Sequence, residues 1–222
     1  MTLLNDPNLV VWFPFTEGAG STSYDYSSEV NNGTNTAITY SKNKTGKYNA
    51  GFNGSSSNID IANDSSINFI YTSSFSIFAW VNTSSLSVAQ RIYGQVPHSC
   101  GMNYLTFGFG TNGKIDANEY RDCGRGGTGT IYSTSALVIN TWAHVGITYN
   151  GTTLTVYFNG VAENSANYAG LATSAANVSG VWGKDKRFGA AYFTGKMADC
   201  RIYDKSLSAN EVKDLYKKTY IQ

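Results

Sequence analysis

WAHVGITYNGTTLTVYFNG, residues 142–160, holds two runs of alternating apolar and polar side chains separated by Asn150-Gly151. Alternation at period two sends one set of side chains to a core and the other to solvent, the signature of β-strands. Asn-Gly is favoured where a tight turn needs positive dihedrals at both central residues. The stretch therefore predicts an antiparallel hairpin, and Asn159-Gly160 starts a further turn.

The same grammar extends outward in both directions. FSIFAWVNT, residues 75–83, places Phe75, Ile77, Ala79 and Val81 on one face and crowds Phe78 and Trp80 on the other. A strand that is apolar on both faces belongs in the middle of a layered sheet. YLTFGFG and KIDANEY predict another hairpin through residues 111–113, and LVVWFPF at 9–15 is an extended apolar stretch. YNAGFNG and NIDIA read as short strands around a polar turn at residues 54–57. A last long strand runs over about 192–203, broken at Gly195. The one helix comes at 208–217. Ser208 and Glu211 stand at capping-box spacing, and Val212, Leu215 and Tyr216 form an apolar stripe. Many short strands without strand–helix alternation predict one all-β domain over residues 1–222, a two-layer antiparallel sandwich with a short C-terminal helix.

Composition narrows the function. Only 14% of the 222 residues are charged and the net charge is +1, with no basic arm of the kind that draws nucleic acid. The polar surface is mostly amide and hydroxyl, which suits neutral partners such as sugars. No apolar run approaches membrane-spanning length, and the first residues carry no basic secretion signal. Seven Asn-x-Ser/Thr sequons are a by-product of an Asn-, Ser- and Thr-rich composition. Of three cysteines, Cys100 and Cys123 flank one loop-rich hairpin and are expected to form a disulfide in an oxidising compartment. Cys200 reads as a small buried hydrophobe, and no Cys-x-x-Cys pair supports zinc.

Five segments in order resemble the concanavalin A-like, laminin G-like jelly-roll family. They are VVWFPFTEGAGSTSYDYSSEVNNGT, GKYNAGFNG, FSIFAWVNT, WAHVGITYNGTTLTVYFNG and GKMADCRIYDKSLSANEVKDLY. The resemblance covers roughly residues 9–217 and implies a jelly-roll sandwich. It departs from the family pattern at Ala198, where an acidic residue is usual and Asp199 follows instead. Retaining glycanases of this general fold carry Glu-x-Asp-x-x-Glu on one strand, and this chain has no such run. The nearest cluster, Asp116 to Glu119, puts its carboxylates on opposite faces of a strand and reads as a surface hairpin. His144 reads as a structural residue of its hairpin. The expectation is a protein that is not an enzyme.

The resemblance also implies calcium at the sandwich rim, with Glu17, Asp25 and Asp199 the expected ligands and Asp60 a further oxygen donor. For a saccharide, aromatic faces beside polar turns are the needed chemistry. Trp182, Asp185, Arg187, Tyr192 and Tyr24 are the expected binding residues. Two readings follow. One is a lectin-like, carbohydrate- or surface-glycan-binding module, located extracellularly or on a virion or cell surface. The other is a structural, decoration or adhesion protein of a virion or cell surface, working through protein contacts in a larger assembly.

Overall fold

A computed structural model describes residues 6–62, 64–67, 74–97, 104–120, 129–168, 178–186 and 189–219. Two antiparallel sheets account for most of them. The first runs in the order β14 (Val161–Asn167), β13 (Thr153–Phe158), β12 (Ala143–Tyr149), β7 (Phe75–Thr83), β16 (Thr194–Tyr203), β5 (Tyr48–Asn53) and β4 (Thr39–Lys42). β1 (Leu9–Phe13) also belongs to it, pairing with the C-terminal half of β16 while β5 takes the N-terminal half. The second sheet runs β11 (Thr130–Ala136), β10 (Lys114–Tyr120), β9 (Tyr104–Phe109), β8 (Gln90–Pro97), β15 (Val178–Trp182), β6 (Asn58–Ile61), β3 (Gly33–Thr36) and β2 (Thr22–Ser23). Helix α1 (Ala209–Thr219) lies on the outer face of the first sheet.

The central strand behaves as its pattern requires. Phe75, Ile77, Ala79 and Val81 of β7 join one core with Ile92, Phe107 and Ile115 of the second sheet. Phe78 and Trp80 point the other way, where α1 covers them. Val212 and Leu215 pack with Phe78, Tyr157 and Tyr203, and Tyr216 stacks on Trp80 at 5.5 Å between ring centres. Burying each large apolar side chain contributes about 1.5–3 kcal/mol, so the helix is held mainly by this stripe. Its start is fixed reciprocally: Ser208 N–H donates to Glu211 Oε2 at 2.7 Å, and Glu211 N–H donates to Ser208 Oγ at 3.3 Å.

The two Asn-Gly turns differ. Asn159 and Gly160 both have positive φ, 48° and 79°, as the tight hairpin turn between β13 and β14 demands. At Asn150-Gly151 only Gly151 is positive, at 94°. Asn150 Oδ1 instead accepts from Thr152 N–H and Thr153 N–H, making a side-chain-closed turn.

Two further readings change, and one is completed. The strands flanking residues 54–57 do not pair: β5 belongs to the first sheet and β6 to the second, so the turn carries the chain between layers. The break in β16 falls between Ala198 and Arg201, where Asp199 has φ 48°, rather than at Gly195. β10 is not a surface hairpin arm, since β9 and β11 pair on either side of it and Asp116 is buried. Cys200 is buried in the main core, whereas Cys100 and Cys123 lie outside the described residues.

Candidate functional site

On the outer face of the first sheet, a cleft of about 640 Å³ opens between β1, the start of β5 and the end of α1. β1 sends Val11 and Phe13 into the core, so Trp12 between them faces outward and forms one wall. Tyr48, at the start of β5, forms another. Ala198, Asp199 and Arg201 of β16 supply the floor, with Lys47 beside Tyr48 at the start of β5 and Lys218 and Thr219 at the end of α1.

Trp12 is fixed from several directions. Its indole N–H donates to Asp199 Oδ1 at 2.7 Å, and the Arg201 guanidinium lies 4.4 Å from the ring centre. Tyr26 meets the ring edge-on at 5.9 Å, and Tyr26 N–H donates to the Trp12 carbonyl. Arg201 grips Asp199 through Nε and Nη2, at 3.0 and 2.9 Å. Burial opposes the charge on Arg201 most strongly of any one influence, but Asp199 and Tyr203 together outweigh it and hold the guanidinium above its ordinary pKa. The bulge at Asp199 aims its carboxylate at both partners, a common use of an extra residue in a strand. Tyr48 has Lys42 Nζ 4.8 Å from its ring centre. Gly18 lies directly alongside, and a Cβ there would fall 2.6 Å from the Tyr48 ring, so only glycine admits this placement.

The expected site residues separate into two groups. Asp25 and Asp199 both bond to Trp12, at N–H and indole N–H, while Tyr24 stands exposed beside Asp25. Trp182 is elsewhere. It is fully buried in the core, 4.9 Å from Tyr93, so its ring face is not offered to a ligand. Asp185 is buried and bridges to Ala190, Tyr192 is half-buried in the same loop, and Arg187 lies outside the described residues.

Most of the oxygens of the expected calcium ligands are taken up by protein groups, Glu17 Oε2 excepted. Asp25 Oδ1 accepts from Trp12 N–H and Ser27 N–H, and Oδ2 accepts from Ser27 Oγ–H and Asn31 N–H. Donor hydrogens thus occupy the lone pairs that a cation needs. Asp199 is already neutralised by Arg201, and Glu17 Oε1 accepts from Tyr24 N–H. Among the described residues no group of three or more His, Cys, Asp or Glu side chains is placed to hold a metal. Asp60 instead pairs with Lys184 and Lys186, at 3.6 and 3.4 Å.

The model of the concanavalin A-like lectin/glucanases superfamily, Laminin_G_3, matches residues 52–213, well over half the chain. The chain belongs to this superfamily. No curated protein matches it. Among solved structures, this concanavalin A-like chain is similar to domain 4 of AbnA, a GH43 extracellular arabinanase from Geobacillus stearothermophilus, in complex with arabinotriose. The identity is 20%, covering 94% of this chain and 98% of that one, with a TM-score of 0.74. It is also similar to the binding domain of Paraclostridial Mosquitocidal Protein 1 (20% identity, 97% and 53% covered, TM-score 0.74). A third similar structure is of botulinum neurotoxin type C, whose cell entry depends on two ganglioside molecules (14% identity, 95% and 51% covered, TM-score 0.67). The chain spans about half the length of the two toxin chains. At these identities the likeness is one of fold.

In this concanavalin A-like domain the second sheet carries its own buried charge, Asp116, held by Arg91 at 3.0 Å. Burial raises the Asp116 pKa despite the opposing pull of Arg91. A carboxylate committed to an arginine braces the sheet. Chemically, the cleft offers two aromatic walls, one fixed ion pair and two lysines, a set that binds and orients. LVVWFPF is uniformly apolar, and Val10 joins the core although it shares Trp12's parity, so alternation alone does not mark Trp12 as the outward residue.

Proposed function

We propose that the chain is a non-catalytic carbohydrate-binding module acting outside the cell or at a surface, with the Trp12–Tyr48 cleft as its saccharide site. The observation that carries this is the pairing of two aromatic walls with a fixed Asp199–Arg201 floor in one open cleft. Aromatic rings cover the apolar faces of sugar rings, and preoriented polar groups meet hydroxyls. The arabinotriose in the AbnA domain and the gangliosides of the neurotoxin supply supporting analogies on the same fold.

The test is a glycan array with multivalent protein, followed by titration of the best binder. Tyr48→Ala should weaken binding about tenfold or more with the fold retained. Undiminished binding in this variant and in Trp12→Phe would move the site elsewhere, and no binding to any glycan would end the reading.

A structural or adhesive role has one observation in its favour. Tyr132 on β11 and Val161 on β14 are exposed along the edge where the two sheets meet, joined there by Asn164 Nδ2–H donating to the Tyr132 carbonyl. Concentration-dependent self-association in sedimentation, abolished by Val161→Asp, would select that role.

A further inference from the structure

The near-neutral composition conceals an uneven distribution of charge. The turn joining β4 and β5 reads SKNKTGKY and brings Lys42, Lys44 and Lys47 together; α1 ends in Lys217 and Lys218. The fold sets these two segments across one cleft, with Lys47 on one edge and Lys218 on the other. Among the described residues neither lysine makes an ion pair, and Asp214, one helical turn before Lys218, is not within reach of it. The one carboxylate lining the cleft, Asp199, is already consumed by Arg201. The cleft is left with uncompensated positive charge over an aromatic wall.

A blander account covers half of this. Lysines in a last helical turn complement the helix dipole, which explains Lys217 and Lys218. It does not explain Lys47, which lines the same cleft as Lys218, where two like charges repel and an anion between them relieves that repulsion. Resting on the saccharide-binding reading above, we infer that the cleft takes an acidic saccharide, one carrying a carboxylate or sulfate group. Lys47 and Lys218 hold the anion from opposite edges, and Tyr48 and Trp12 meet the ring. The whole-chain charge pointed to a neutral glycan; the local charge reverses that expectation.

The experiment compares neutral, carboxylated and sulfated oligosaccharides of matched length against the full chain, at low and at raised salt. Variants are Lys47→Ala, Lys218→Ala, the double substitution, and Lys114→Ala on the second sheet as a control. Acidic oligosaccharides should bind more tightly than neutral ones and lose affinity as salt screens the contact. Each cleft lysine removed should weaken binding about fivefold at low salt, with Lys114→Ala unchanged. The carboxylated and sulfated arms identify which anion is preferred. Equal binding of neutral oligosaccharides, or acidic binding indifferent to both lysines, overturns the inference and leaves the saccharide reading standing. Failure of every oligosaccharide, neutral and acidic, overturns both.

Discussion

Trp80 donates its indole N–H to Thr219 Oγ1 at 2.9 Å, joining the central strand of the first sheet to the last residue of α1 across 139 positions. Thr219 passes the bond on, donating to the Leu215 carbonyl at 2.7 Å. Thr219→Val keeps the shape but leaves the buried Trp80 N–H without its acceptor, which costs about 1–3 kcal/mol. Chemical denaturation should report that loss, with the helix retained by circular dichroism.

His144 is enclosed beneath the same helix, stacked on Phe78 at 5.3 Å and flanked by Trp80 and Tyr216. Neither ring nitrogen has a hydrogen-bond partner among the described residues, and burial lowers the pKa to about 3. Asp199 pulls it upward and Arg201 pushes it down, both more weakly than burial does. Because the folded pKa lies below the unfolded one, the unfolded chain takes up the proton first. The contribution of His144 is intact above about pH 6.5 and is lost as pH falls toward 3. Between pH 7 and pH 5 the wild type should lose about 2 kcal/mol that His144→Phe does not lose. Parallel denaturation slopes for the two proteins would contradict the assignment.

Trp182→Ala tests the division between core and site. The indole packs inside the sandwich, so its removal should cost about 3–5 kcal/mol of stability. Any fall in ligand binding should then track the unfolded fraction measured by thermal melting, unlike that of Tyr48→Ala.

Calcium addition and chelation should leave the melting temperature unchanged, because an ion stabilises only by binding the folded form and the Asp25 oxygens are filled by donors. Asp25→Ala, by contrast, should destabilise by about 2 kcal/mol or more, stranding the Trp12 and Asn31 amides.

Gly18→Ala should act on the cleft more than on the fold. The residue has φ 66° and touches the Tyr48 ring, so a methyl group strains the backbone by about 1 kcal/mol and displaces the ring. Saccharide affinity should fall further than the melting temperature implies.

The layers were legible in the sequence wherever apolar alternation was strong. FSIFAWVNT gave its two faces without ambiguity, and Ser208 with Glu211 marked the helix start. β3, β4 and β14 escaped notice because GTNT, TYSK and VAENSAN are polar and largely exposed, leaving no period-two signal. The site was less legible for a different reason. Trp182 and Trp12 both sit in patterned strands, and which one faces outward depends on bulges and sheet membership that a linear pattern does not encode. The lysines were equally opaque: Lys47 and Lys218 come to line one cleft only through the fold.

Trp12 and Asp199 are 187 residues apart, and Lys218 is farther still along the chain, yet all three line one cleft. The pairing of β1 with β16 already closes a loop of nearly the whole chain, and an occupant touching these walls adds a second tie across it. That tie would act as a removable cross-link. Pulling the domain apart from its first and last strands would have to break that clasp too, so occupancy should register as mechanical strength as well as affinity.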